Sequence, residues 1–423
     1  MNKVLIITYY WPPSAGAGVQ RWLKFAKYLP SSGWEPLIIT VDPEYATYPA
    51  LDHSLDRDLD SKIRIWKTRA TDYFRIYRRD KSKVPAAGFA SSDEKSFKGW
   101  LIRFIRGNFF IPDPRRGWNK YAFKQASELI LSEGVTHVIT TSPPHSTQLI
   151  GIKLKKKFSS IKWIADLRDP WTDIYYYSLF NHTPPAKALD SHYERKTLEL
   201  ADSLITVGDS LRDLFLSKYK DAANKIHTIT NGFDETDFQG KSNGFNTEFV
   251  VTYTGTLSES YPMKSFIEAV VNYIAGGNRL KIRFIGTVSP AWREKMETSG
   301  LSDVLEFVPY VEHIKAIRYM LDSSANLLII PDHSSNRSII TGKLFEYIAS
   351  RRPIICIGPP DGDAAAIINE SESGRVHEYN DVAGIEKTLE ELGKGNFRIN
   401  EAGINKYSRR ELTSKLAGLL SRL

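Results

Sequence analysis

Short apolar runs rich in Val and Ile recur along the chain, each closed by turn residues. In the first half they are KVLIITYY, EPLIITVD, THVITTS, KWIADLRD and DSLITVGD. In the second they are FVVTYTGT, LKIRFIGT, LEFVPYV, ANLLIIPD and PIICIGPP. Helical segments such as VQRWLKFAKYLPSSG and KSFIEAVVNYIAGG lie between them. Buried strands alternating with helices predict parallel sheets with crossover connections. The two series are parted by NGFDETDFQGKSNGFNTE, which is polar, rich in Gly and Asn and without periodicity. Such a stretch reads as a linker. The expected organisation is an α/β chain of two Rossmann-like domains, residues 1–232 and 248–405, joined by 233–247. Ligands of such sheets lie beyond the carboxyl ends of the strands.

Composition narrows the picture only in places. The 423 residues suit two domains, and 42% hydrophobic with 25% charged residues is ordinary for a globular protein. The one cysteine, Cys356, lies in the apolar run PIICIG and reads as a small buried hydrophobe. One thiol excludes a disulfide framework or a cysteine-rich zinc site, and fits a reducing cytoplasm. The opening MNKVLIITYYWPP reads as a first strand rather than a signal peptide, and no apolar run reaches the length of a membrane span. The net charge of +8 suits an anionic partner such as nucleic acid, a phosphorylated small molecule or anionic lipid, or serves solubility alone.

Several motifs fall at strand ends. SAGAGVQRW follows the first strand, and its Gly16 and Gly18 read either as a loop bordering a phosphate or sugar, or as a tight turn. Arg21 stands where a third dinucleotide-binding glycine would be, which argues against a dehydrogenase. ADLRDPWTD places Asp166, Arg168, Asp169 and Asp173 past a strand end, either as a structural ion-pair cluster or at a site. TSPPHSTQ places His145 likewise. In SIITGKLFEYIASRRPIICIG, Thr341, Gly342 and Lys343 open a helix with Glu346 one turn inside. A helix N-terminus attracts anions, so the carboxylate needs a separate purpose. Finally, in KSFKGWLIRFIRGNFF (95–110), helical geometry groups Phe97, Trp100, Leu101, Phe104 and Ile105 opposite Lys95, Lys98 and Arg106. That face, with the preceding FRIYRRDKSK, reads either as an interfacial helix on an anionic membrane or as a helix packed on its own sheet.

Four segments in order, PPSAGAGVQRWLKFAKYLPSSGWEPLIIT, ITNGFD, YTGTLSESYPMKSF and TGKLFEYIASRRPII, carry a resemblance to the retaining glycosyltransferases of family 4. The resemblance covers nearly the whole chain. It implies the GT-B fold, two Rossmann-like domains facing each other across a cleft, with the final helix (406–423) crossing back onto the first. It implies a UDP- or GDP-type nucleotide-sugar donor on the second domain and a saccharide or lipid-linked acceptor on the first. It further implies retention of configuration, no metal, no cofactor and no nucleic-acid partner. Glu346 matches the family glutamate that binds the ribose, and a carboxylate suits a diol. The donor would also meet Gly16, Gly18, Gly255, Thr256, Arg337, Ser338, Thr341, Gly342 and Leu344. The chain departs from the pattern at Ser338, where a first glutamate is expected, and at Thr256, where an arginine is expected. Lys264 matches the family lysine loosely, and Lys343 or Arg337 would compensate for the lost charge. Catalytic roles are expected for Lys264 and Lys343 at the diphosphate, and for His145, Asp166 and Asp169 at the acceptor hydroxyl. The implied setting is surface polysaccharide or glycolipid synthesis, in the cytoplasm or peripherally on the inner membrane face. A nucleotide-sugar epimerase of the same fold and a non-catalytic nucleotide-sugar binder are the alternatives.

Overall fold

The computed structural model describes residues 1–48, 50–71, 73, 97–174, 176–238 and 248–423. The chain divides into two compact units, Met1–Thr230 with Thr413–Leu423, and Asn231–Leu412. The basic-aromatic run FRIYRRDKSK, Lys95 and residues 239–247 of the linker lie outside the described residues.

The first unit is a seven-stranded sheet. Its elements are β1 (Asn2–Ile7), α1 (Ala17–Tyr28), β2 (Trp34–Val41), β3 (Arg64–Thr68), α2 (Phe97–Phe109), α3 (Asn119–Glu133) and β4 (His137–Ser142). They continue with α4 (Gln148–Lys157), β5 (Lys162–Leu167), α5 (Pro184–Leu200), β6 (Ser203–Thr206), α6 (Asp209–Lys218) and β7 (Ile226–Thr228). The order is β3-β2-β1-β4-β5-β6-β7, with every pairing parallel. The chain reverses direction across the sheet between β1 and β4, which makes a crevice at their carboxyl ends. Val4, Leu5, Ile6 and Ile7 are all fully buried, because helices cover both faces of a parallel sheet. Two apolar clusters form, one around Leu37, Trp118 and Ile150, the other around Trp163, Leu204 and Phe215.

The second unit is a six-stranded parallel sheet. Its elements are β8 (Val250–Leu257), α7 (Lys264–Ala275), β9 (Lys281–Val288), α8 (Pro290–Met296), β10 (Leu305–Val308), α9 (His313–Leu321) and β11 (Ala325–Ile329). Then follow α10 (Gly342–Ala349), β12 (Ile354–Ile357), α11 (Asp363–Ser371), β13 (Gly374–His377), α12 (Val382–Gly393), α13 (Glu401–Asn405) and α14 (Arg409–Arg422), the last belonging to the first unit from Thr413 onward. The order β10-β9-β8-β11-β12-β13 reverses between β8 and β11. Its core packs Tyr253, Phe266, Phe284 and Leu327 on one face and Leu328, Leu344, Ile348 and Ile354 on the other. Cys356 is buried in this second cluster, as its apolar run predicts.

Helix α2 differs from its expected drawing. Arg106 is half-buried, with its guanidinium carbon 4.8 Å from the Phe180 ring centre. Gly107 packs against Phe180 so closely that a Cβ there would lie 2.6 Å from the Phe180 carbonyl oxygen. Asn108 donates to the carbonyls of Phe104 and Asn181, and its own oxygen accepts from Thr183 N. Trp100, Leu101, Ile102 and Phe109 are exposed, by 41–69%. The buried side of α2 is therefore its small and polar side, and much of its apolar surface meets solvent.

Candidate functional site

In the second unit, Lys343 meets Gly255 at the carboxyl end of β8. Gly255 and its partner on β9, Gly286, have φ of +100° and +117°. Only glycine adopts such angles without strain. A Cβ on Gly286 would lie 2.6 Å from Gly255 O, and one on Gly255 would lie 3.2 Å from Lys343 Nζ. Gly255 thus leaves room for the lysine at the strand end, and Gly286 leaves room for the Gly255 backbone. Lys343 Nζ donates to Tyr253 Oη at 2.8 Å and lies 4.2 Å from the centre of that ring. Tyr253 Oη in turn donates to Thr256 O at 2.8 Å. Burial lowers the Lys343 pKa to about 8, with Glu346 opposing the shift. The ammonium is therefore mostly charged at neutral pH and loses its charge not far above it.

Helix α10 is fixed to the same strand by Tyr347, whose hydroxyl accepts from Thr254 N at 2.9 Å. Leu344, Phe345 and Ile348 bury its apolar side, so Glu346 is turned outward and half-buried. Glu346 Oε1 lies 3.0 Å from Nε2 of His313, the first residue of α9. Thr341 caps α10 by position, and its Oγ1 is buried without a hydrogen-bond partner among the described residues. Leu344 contributes no polar side chain: it is fully buried, and its N–H reaches Thr341 O. Ser338 Oγ donates to Ser335 O, and Arg337 pairs at 2.9 Å with Asp361, both largely exposed. Thr256 is exposed at the strand end. Lys264 opens α7 with its side chain 72% exposed and Nζ 3.8 Å from Glu268. Lys343 is the cation that the strand end itself holds in place. Tyr253 and His313 were not singled out by the sequence reading; Tyr253 lies within the quoted YTGT run, whereas nothing in the sequence near His313 signals its contact.

In the first unit, Gly16 turns at φ +107° before α1, and Gly18 comes so close to Arg168 that a Cβ would lie 3.0 Å from Nη1. Arg168 donates to the carbonyls of Ser142, Gly18 and Pro143, tying the glycine loop to the end of β4. Gly18 thus serves contact with this arginine. Asp166 has no exposed surface and accepts from Arg21 Nη2 at 3.0 Å, Trp22 Nε1 at 2.8 Å and Thr141 Oγ1 at 2.7 Å. The Asp166 carboxylate is thus engaged inside the core. Asp169 is half-buried, and burial raises its pKa, with Arg168 opposing. His145 stacks on Trp171, centroids 4.8 Å apart, and neither ring nitrogen has a hydrogen-bond partner among the described residues. Burial, then Arg168 and Lys218, lower its pKa to about 3, so the ring is neutral.

Among the described residues of each unit, the carboxyl ends of the two central strands therefore carry polar groups held by short contacts. No family model matches the chain, and no curated protein matches it. Solved structures do. The chain is similar to HepE from Anabaena in complex with UDP, at 11% identity and TM-score 0.62, covering all of both chains. It is similar to a sucrose-phosphate synthase from Thermosynechococcus elongatus, at 16% identity and TM-score 0.60, covering all of this chain and 98% of that one. It is also similar to the lipopolysaccharide outer core galactosyltransferase WaaB, at 11% identity and TM-score 0.60, covering all of both. At these identities the likeness carries the architecture: two Rossmann-like parallel-sheet domains in the GT-B fold.

Proposed function

We propose that the chain is a glycosyltransferase that moves a sugar from a UDP- or GDP-type donor to a saccharide or lipid-linked acceptor. The carrying observation is the group at the end of β8, where Lys343, the N-terminus of α10 and Glu346 stand together beside two glycines. A nucleoside diphosphate has the matching parts. Its phosphates suit an ammonium and a helix N-terminus, and its ribose diol suits a carboxylate. HepE, of the same fold, is a complex with UDP. In this reading the second domain (248–405) holds the donor, the first (1–232, with 406–423 packed on it) takes the acceptor, and Lys264 adds a second cation. Asp166 acts through Arg21 and Arg168. The sugar keeps its configuration and no metal takes part, since Lys343 and helix amides supply the charge the departing diphosphate needs.

The test is a thermal-shift screen with UDP and GDP. A nucleotide held at a hundred times its Kd adds about 2.7 kcal/mol, and Glu346→Ala is expected to weaken binding by about 1.5–3 kcal/mol. Transfer from UDP- or GDP-sugars is expected to persist in EDTA. Absence of any nucleotide-dependent shift sinks the reading. Donor turnover without an acceptor favours the epimerase alternative.

We further place the enzyme peripherally on an anionic inner membrane face, through Trp100, Leu101, Ile102 and Phe109 of α2 with Arg103 beside them. This would serve polysaccharide or glycolipid synthesis. No helix among the described residues is long and apolar enough to cross a membrane. Each basic residue near such a surface contributes about 1 kcal/mol, and salt screens it. Replacing Trp100, Ile102 and Phe109 with serine is expected to reduce co-sedimentation with phosphatidylglycerol vesicles at unchanged melting temperature. Unchanged co-sedimentation rejects the placement.

A further inference from the structure

A cavity of about 70 Å³ lies within the first unit, lined by Tyr10 just past β1, by Pro143, Pro144 and His145 just past β4, and by Arg106, Arg115 and Trp171. It occupies the point where the strand order reverses, which is where open α/β sheets take ligands. Two guanidinium groups line it. Arg115 is only 5% exposed; its Nε is buried without a partner among the described residues, and Nη2 reaches Thr47 O only at 3.4 Å. Arg106 stands near enough for the positive charge of Arg115, after burial, to lower its pKa to about 10.

Among the described residues, neither acid at the wall makes an ion pair with either guanidinium, although the Asp113 carboxylate favours the charge of both from further off. Asp113 accepts from Arg115 N, Ser146 N and Ser146 Oγ. Asp190 accepts from Trp171 Nε1 at 2.7 Å and Tyr177 Oη at 3.0 Å, and burial raises its pKa to about 6. A buried charge without a paired counter-charge is costly. Two adjacent cations, Arg115 buried and Arg106 half-buried, favour an anion between them, and guanidinium forks match the oxygens of a phosphate. His145 adds different chemistry. Being neutral, it offers one N–H and one lone pair, and both of its nitrogens are buried without a partner among the described residues. That combination suits a hydroxyl and not a second charge. The aromatic surfaces of Tyr10 and Trp171 beside it suit the face of a sugar ring.

We propose that this cavity is a binding site for a phosphorylated sugar, its phosphate held by Arg106 and Arg115 and a ring hydroxyl held by His145. The inference rests on the glycosyltransferase reading and names the class of acceptor: a sugar that carries a phosphate or diphosphate, either free or attached to a lipid.

The test is calorimetric titration of the full chain with three probes: inorganic phosphate, glucose 1-phosphate, and a polyprenyl diphosphate sugar in micelles. Arg115→Gln and Arg106→Gln are each expected to weaken binding at least tenfold, while Lys394→Ala, at an exposed lysine of the other unit, leaves it unchanged. Arg106→Gln guards against misfolding of the more deeply buried variant, and the melting temperature of each is measured. His145→Phe, which keeps the stack on Trp171, is expected to weaken glucose 1-phosphate and leave inorganic phosphate unaffected. Tighter binding of glucose 1-phosphate than of phosphate identifies a free sugar phosphate; tight binding of the polyprenyl probe alone identifies the lipid-linked one. No binding of any probe, or binding lost in Lys394→Ala and kept in the arginine variants, overturns the proposal. If the transferase reading alone is wrong, phosphate binding persists while nucleotide binding and turnover are absent.

Discussion

Asp166→Ala is expected to destabilise the protein by about 3–5 kcal/mol, the usual cost of removing one partner from a buried ion pair. Neither Asp166 nor Arg21 has any exposed surface. The alanine variant leaves the Arg21 guanidinium charged inside the core, and deprives Trp22 Nε1 and Thr141 Oγ1 of their acceptor. Arg21 would keep its bonds to the carbonyls of Ile229 and Thr230. The Arg21→Leu, Asp166→Leu double variant is expected to lose less than the two single variants added together, because the charge leaves with its partner. Urea unfolding followed by tryptophan fluorescence checks this. A single variant that unfolds at the wild-type midpoint would show that the pair is not what holds α1 to β5.

The same pair shows how far the sequence could be read. The ten apolar runs each contain a strand, because a strand covered on both faces must be apolar throughout. Strands β3, β7 and β13 were not foreseen. Their sequences, RIWKT, IHT and GRVH, are short and mixed, and all three lie at sheet edges, where one side has no neighbouring strand and the pattern is weaker. At the candidate sites, position along the chain was legible and orientation was not. Asp166 and His145 both follow the strand-end pattern. Yet the alternation of a strand decides that Asp166 points into the core, and only the coordinates show Arg21 and Trp22 waiting there. In the sequence alone, Arg21 reads as a missing glycine. In the folded chain it is the residue that makes the acid structural. Glu346 and Lys343 were legible because a helix start is a local feature. Their neighbours His313 and Tyr253 come from other elements and leave no local mark.

Lys343→Ala is expected to lower the turnover of donor by about 10²–10³-fold, the usual loss when one preorganised group facing developing charge is removed. The wild-type side chain is held in place before any ligand arrives. Tyr253 Oη accepts a hydrogen bond from it, the ring lies under it, and Gly255 leaves room beside it. No reorganisation is then needed as the diphosphate departs, so the loss is expected mainly in kcat. Glu346→Ala, in contrast, is expected to act mainly on nucleotide affinity, since the ribose does not change charge during transfer. The pH dependence separates the two further. Burial has lowered the Lys343 pKa to about 8, so the cation is present below that pH and is lost as the pH rises through it. Activity of the free enzyme, measured as kcat/KM, should therefore fall between about pH 7 and 9 in the wild type. It should stay level over that range in Lys343→Arg, whose guanidinium stays charged. A wild-type profile that is flat to pH 9, or an alanine variant within threefold of wild-type turnover, would remove Lys343 from the reaction. The positive charge would then have to come from Lys264 or Arg337.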